Sequence, residues 1–96
     1  MFNKSNMLGM LKQAQQAKKQ LKKVQKEIDR MVFKGSSSDG SVEATVNGKL
    51  VLTNLELDEN FSQLDINSQK NMIKIAINNA IASAQKTTQD KMNSVT

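Results

Sequence analysis

The sequence contains no cysteine, no histidine, no tryptophan and no tyrosine. Without cysteine the chain can form neither a disulfide nor a thiolate metal site. Without histidine it lacks the commonest general base and the commonest metal ligand. We therefore expect a protein that is not an enzyme, holds no metal ion, uses no cofactor and takes no small-molecule substrate.

Aromatic side chains are also scarce. The only aromatic residues are three phenylalanines, so a core must consist mainly of aliphatic side chains, methionine and alanine. The 96 residues allow one domain, 1–96, and a domain of this size buries only about two-thirds of its unfolded surface, which favours oligomerisation. No apolar run approaches the roughly 18 residues of a membrane span, and residues 1–12 do not resemble a signal peptide. We expect a soluble cytoplasmic protein with no membrane partner.

Charge is segregated along the chain. Residues 1–34 carry nine Lys and Arg against two acids, net +7, and residues 66–96 carry four Lys against one acid, net +3. Residues 35–65 between them carry one Lys against six acids, net −5. Two basic ends around an acidic middle predict a polyanion-binding surface built from the ends.

The first segment, from about residue 5 to residue 31, predicts one long helix because it lacks proline and is rich in Lys, Gln, Leu and Ala. Its apolar residues form an a/d heptad seam, which we expect to pack against a second helix or against a dimer mate. The alternative is that the whole seam packs on the chain's own sheet. The seam consists of Met7, Met10, Ala14, Ala17, Leu21, Val24, Ile28 and Met31.

The middle of the chain predicts a three-stranded antiparallel meander. A first strand is expected near residues 31–34, followed by a turn in the polar stretch that ends at residue 40. Val42 to Val46 alternates apolar and polar residues, as a strand does. Asn47-Gly48 then predicts a type I′ hairpin turn. The next strand, about 49–57, changes the parity of its leucines, which predicts a bulge near Thr53-Asn54.

A second long helix is expected over about 68–94, capped by Asp65 or Asn67, with a polar end that projects into solvent. The fold class is therefore α+β, in the order helix, three-stranded meander, helix. The residues expected in the core or a dimer interface are Leu21, Val24, Ile28, Leu50, Leu52, Leu55, Leu57, Ile73, Ile77 and Ile81.

The first helix carries a basic stripe opposite the seam. Lys12, Lys19, Lys23, Lys26 and Arg30 are spaced by seven, four, three and four residues, and Lys18 and Lys22 flank them. Lysines of such a stripe suit contacts with DNA phosphates, which give affinity without direct sequence reading. An ordinary lysine-rich solvent face is the alternative.

Other polar residues do not form a catalytic pattern. Asp58 and Glu59 are adjacent acids without a partner base, and a solvated turn accounts for them. The stretch G-S-S-S-D-G over residues 35–40 lacks the Lys and Ser/Thr of a phosphate-binding loop. Methionines at helical spacing fit a core or seam rather than a metal site.

Several stretches together resemble the YbaB/EbfC family over nearly the full length of the chain. The resemblance implies an α-β-β-β-α fold, a homodimer with projecting long helices, and DNA binding in the bacterial nucleoid through those helices. On this chain it assigns DNA contacts to the seven basic residues of the stripe and also to Lys86 and Lys91. The stretches that carry the resemblance are Lys12–Ala17, Gly40–Gly48, Leu55–Asp58, Ala76–Ala80 and Lys91-Met92.

The first hypothesis is thus a homodimer that binds double-stranded DNA with low sequence specificity and affects nucleoid organisation and gene expression. The second is a protein-interaction adaptor whose long helices bind a partner and whose lysines only keep it soluble. An RNA-binding role is third, and the scarcity of aromatic residues for base stacking argues against it.

Overall fold

The structure, a computed structural model, describes the backbone of residues 4–94 and the side chains of residues 7–94. It confirms the predicted fold class: a long helix, three antiparallel strands and a second long helix, with one short helix before the last. The elements are α1 (Lys4–Arg30), β1 (Val32–Ser36), β2 (Val42–Asn47), β3 (Leu52–Leu57), α2 (Glu59–Ser62) and α3 (Ile66–Asn93).

The sheet has the strand order β1-β2-β3, so β1 and β3 are its edges. The predicted bulge is present: Thr45 pairs with Asn54 but Val46 pairs with Leu52, which leaves Thr53 as the extra residue. The bulge returns Leu52 to the face that carries Leu55. Apolar side chains of β3 therefore share one face of the sheet.

Helix α3 covers that face, packing mainly on β1 and β2. Its contact residues are alanines: Ala76, Ala80 and Ala84 are completely buried. Because alanine is short, the helix comes very close to the sheet, and a Cβ built on Gly35 would lie 2.2 Å from the backbone nitrogen of Ala80. Sequence reasoning placed Gly35 in a turn, whereas the structure places it inside β1 beneath α3.

The hairpin between β2 and β3 differs from the prediction. Asn47 and Gly48 do not adopt the positive φ of a type I′ turn; the residues of the described chain with positive φ are Gly40 and Leu50, the latter at 63°. Gly48 instead allows the hairpin to approach the C-terminal end of α1 closely, since a Cβ on this residue would overlap the carbonyl oxygen of Ile28. The result is a longer turn in which Leu50 takes the left-handed conformation.

Replacing Leu50 by glycine should stabilise the fold by about 1 kcal/mol, because a left-handed conformation costs an L-residue roughly 1–2 kcal/mol and glycine almost nothing. Leu50→Ala is the matched control, since it removes the side chain and keeps the strain. Chemical denaturation would compare the two variants with the wild type. If Leu50→Gly is no more stable than Leu50→Ala, which lacks the same contacts, the left-handed conformation at position 50 is not strained.

The connection from β3 to α3 contains one helical turn that the sequence analysis did not predict. Asp58 caps it, accepting a hydrogen bond from the backbone N–H of Phe61 at 3.2 Å. Phe61 packs against the core. Asp65 is the residue before α3, although its side chain makes no capping hydrogen bond.

The expectation that the end of α3 projects freely is wrong. Thr87, Thr88, Lys91 and Met92 are half-buried. The Lys91 Nζ lies 3.9 Å from a carboxylate oxygen of Glu27, so this end of α3 lies along the base of α1. The prediction was wrong because the apolar stems of threonine and lysine can pack against a neighbouring helix while their polar ends remain hydrated.

Candidate nucleic-acid interface

Helix α1 is attached to the rest of the fold only near its C-terminal end. Ile28 is completely buried and Val24 is half-buried, whereas every residue from Met7 to Lys23 is exposed. A 27-residue helix is about 40 Å long, and the whole chain measures 73 × 20 × 16 Å. Most of α1 therefore projects from the sheet as an arm.

The predicted basic stripe lies on this arm and is open to solvent along its length. Lys12, Lys19 and Lys26 follow one another at about 10 Å along the helix axis. All of the predicted arm residues are exposed: Lys12, Lys18, Lys19, Lys22, Lys23, Lys26 and Arg30.

The two acids of α1 are engaged with partners other than the stripe. Glu27 pairs with Lys91 of α3 at 3.9 Å. The Asp29 Oδ1 accepts a hydrogen bond from the Gln25 Nε2 at 2.9 Å. Within residues 7–94 no ion pair neutralises any of the seven basic side chains of the stripe. The sequence spacing allows the Gln25–Asp29 contact to be predicted, but the Glu27–Lys91 pair depends on how the chain folds.

The two α3 lysines to which the resemblance assigns DNA contacts, Lys86 and Lys91, differ in their surroundings. Lys86 is exposed and follows the buried Ala84 by two residues, so it lies on the side of α3 that faces away from the sheet. Lys91 is half-buried against α1 in its ion pair with Glu27. Lys91 is therefore partly neutralised, and a polyanion would have to compete with Glu27 for it.

Most of the apolar residues predicted for the core or an interface are incompletely covered in one chain. Ile28 alone among them is buried. Val24, Leu55, Ile73, Ile77 and Ile81 are half-buried, and Leu21, Leu50, Leu52 and Leu57 are exposed.

The face of the sheet beside α3 is incompletely covered where β3 lies. One flank of α3 lies toward β1, where the Asn79 side-chain N–H donates to the Ser36 carbonyl at 2.9 Å. The isoleucines Ile73 and Ile77 lie on the other flank, which faces β3 because the sheet order is β1-β2-β3. We call the uncovered strip between this flank and β3 the valley; it carries these half-buried isoleucines and the exposed Leu52 and Leu57. An open groove of about 410 Å³ runs along the same flank and is lined by α3 residues, among them both isoleucines and two lysines.

The polar turn between β1 and β2 has a structural explanation. The Asp39 carboxylate accepts hydrogen bonds from the Ser41 backbone N–H at 2.9 Å, from the Ser41 hydroxyl at 2.7 Å and from the Ser37 hydroxyl at 2.7 Å. The bonds from Ser41, followed by the one from Ser37, hold the pKa of Asp39 below its ordinary value. These contacts organise the turn.

Neither a metal site nor a membrane span is found in residues 4–94. No group of three acidic residues there is arranged to hold a metal ion. No helix in the same range is long and apolar enough to cross a bilayer.

Comparison with known proteins identifies the family. The profile of the YbaB/EbfC DNA-binding family matches residues 3–96. A protein named "Nucleoid-associated protein" from Chlorobium chlorochromatii (strain CaD3) is 35% identical over 91 residues, which is 95% of this chain and 81% of the relative. The crystal structure of an uncharacterized protein from Helicobacter pylori superposes with a TM-score of 0.71 at 18% identity, covering 94% of this chain and 92% of that one. The last likeness supports the fold, and the first two show that this chain belongs to the YbaB/EbfC DNA-binding family.

Proposed function

We propose that the protein is a homodimer that binds double-stranded DNA with low sequence specificity through its two α1 arms, in the nucleoid of the bacterial cytoplasm. The observation that carries the proposal is the exposed and un-neutralised stripe of basic side chains on a projecting helix. Lysines at about 10 Å intervals match a ligand that is itself a line of negative charges. No enzymatic activity is part of this function, and effects on nucleoid organisation and gene expression would follow from DNA coating or bridging.

Low specificity follows from the types of residue on the arm. Six of the seven basic side chains are lysines, which contact phosphates as flexible point charges. Arg30 is the one arm residue suited to a bidentate contact with guanine. The glutamines on α1 favour the helix through their propensity, and Gln25 also donates a hydrogen bond to Asp29.

The homodimer is supported by the valley between α3 and β3. Few large side chains are fully buried in one chain, and the largest are Ile28, Val42 and Val46. Leu52 and Leu57 remain 42% and 48% exposed although they face the same side as the core. A second copy on a twofold axis would place the same apolar surface opposite this one and would also protect the free edge of β3.

Reversing two charges of the stripe should weaken DNA binding at least tenfold. Lys19→Glu with Lys23→Glu removes two phosphate contacts and adds two repulsive charges on an exposed surface, so the fold and the dimer should persist. Fluorescence anisotropy of a random-sequence duplex between about 50 and 300 mM salt measures the effect. The logarithm of the wild-type binding constant should fall with the logarithm of the salt concentration, with a slope of about 0.9 for each phosphate neutralised. Lys34→Glu with Lys49→Glu, the control on the sheet and hairpin, has the same net charge and should bind within threefold of wild type; it also breaks the exposed 3.5 Å Lys34–Glu43 pair, which costs the fold at most about 1 kcal/mol.

Two results would contradict the proposal. If the double variant of the arm binds as well as the control, the stripe is not the DNA-binding surface. If the wild-type dimer does not bind DNA even at about 50 mM salt, where phosphate contacts are strongest, the adaptor hypothesis replaces DNA binding.

A further inference from the structure

Leu8 lies on the basic face of the arm and not on its apolar seam. At about 100° of rotation per residue, Leu8, Lys12, Lys19 and Lys26 fall within an arc of about 40° around α1. Leu8 is 59% exposed. An apolar side chain thus continues the line of lysines toward the N-terminal end of the helix.

Four exposed apolar side chains lie at this end of α1, and Leu8 is the one that shares the face of the lysines. Met7 and Met10 belong to the seam, and Met10, 65% exposed, lies about 160° around the helix from Leu8. Leu11 is 56% exposed and lies between the seam and Leu8, about 60° from Leu8. A ligand bound along the lysines would therefore reach Leu8 before the other three.

We propose that Leu8 contacts the 5-methyl group of thymine in the major groove when the lysines of the same face bind phosphates. This inference rests on the proposed DNA binding. The major groove is about 12 Å wide and admits an α-helix, and the thymine methyl is the apolar group it displays. The recognition helix of helix-turn-helix proteins contacts bases with its N-terminal residues, and in α1 the exposed half of the helix is likewise the N-terminal one.

The arrangement assigns two roles to one helix face. Lysines from residue 12 onward bind the backbone without reading sequence, and Leu8 adds a small preference for thymine. Burial of one methyl group is worth about fourfold in affinity. A preference of this size agrees with low overall specificity, since dedicated sequence readers discriminate by about 10³ or more.

Substituting deoxyuridine for thymine tests the contact directly, because the two bases differ only by the methyl group. We expect the wild-type protein to bind an A·T-rich duplex about three- to tenfold more tightly than the same duplex with deoxyuridine. Leu8→Gln should bind the two duplexes equally and keep the wild-type salt slope. Met10→Gln, an equally exposed substitution on the other side of the same turn, should keep the discrimination.

The outcomes separate this inference from the proposed function. Equal wild-type binding to both duplexes, with a steep salt dependence, would overturn the Leu8 contact and leave DNA binding in place. Discrimination that survives in Leu8→Gln, or is lost equally in Met10→Gln, would also overturn it. Absence of binding to either duplex would overturn both. Circular dichroism and light scattering would verify that each variant keeps its helix content and dimeric mass.

Discussion

Leu52→Asp combined with Leu57→Asp is expected to yield a folded monomer that binds DNA at least a hundredfold more weakly than the wild type. The two leucines are 42% and 48% exposed in one chain, so carboxylates at these positions remain solvated in the monomer. In the proposed dimer the same positions face the second copy, and burying an unpaired carboxylate there costs several kcal/mol. Light scattering would measure the mass, and anisotropy would measure DNA binding.

The large effect on DNA binding comes from the loss of one of two arms. Two linked binding sites gain about 10²–10⁴ in affinity over either alone, provided that both reach the same duplex. Val32→Asp is the control, because Val32 is an apolar strand residue that is 63% exposed on the opposite edge of the sheet. A dimer that survives both leucine substitutions would place the interface elsewhere, and a monomer with wild-type affinity would show that one arm suffices.

The strands could be predicted from the sequence because the spacing of their apolar side chains shows which residues share a face. Val42, Ala44 and Val46 face the core, as their spacing predicts. The change in leucine parity between Leu52 and Leu55 predicted the bulge, which the structure places at Thr53. In each case a buried face dictates which residues must share a side, and that constraint is visible in the sequence.

The glycines were misinterpreted because their roles depend on tertiary contacts. Asn47-Gly48 has the composition of a type I′ turn, but Gly48 is needed where the hairpin meets the last turn of α1. The positive φ is found at Leu50, a residue type that propensity would exclude. The packing of α1 on the hairpin therefore outweighs the local preference of the turn.

The exposure of the basic stripe could be anticipated from its position opposite the seam, but its lack of neutralising partners could not. Glu27 follows Lys23 by four residues, so sequence alone would pair them along the helix. The structure pairs Glu27 with Lys91 of α3 instead. One contact thus fixes the base of the arm and removes a negative charge from competition with the proposed ligand.

Helix α3 contacts both the sheet, through its alanines, and the base of the arm that carries the basic stripe. The alanines bring α3 close to β1 and β2, and because the helix lies over these two strands, β3 remains uncovered and available to the proposed second copy. The polar end of the same helix continues past the sheet to meet α1 at Glu27. Changes beneath α3 should therefore affect the fold, the dimer surface and the arm together.

Gly35→Ala should lower the free energy of unfolding by about 3 kcal/mol or more, which corresponds to a decrease in Tm on the order of 15 °C. A Cβ at this position would lie 2.2 Å from the Ala80 nitrogen and 2.5 Å from the Ala76 carbonyl oxygen. Both atoms belong to the backbone of α3, so no side-chain rotation relieves the overlap, and the helix must move away from the sheet. Thermal unfolding followed by circular dichroism at fixed protein concentration measures the loss.

Gly9→Ala provides the matched control, because the same methyl group is added where nothing lies within 4 Å. Gly9 is inside the exposed part of α1, where alanine should stabilise the helix by about 0.5–1 kcal/mol. If Gly35→Ala lowers the free energy of unfolding and Gly9→Ala raises it, the close approach of α3 determines the need for glycine at position 35. Equal tolerance of both would contradict the close packing of the α3 backbone on β1 at Gly35.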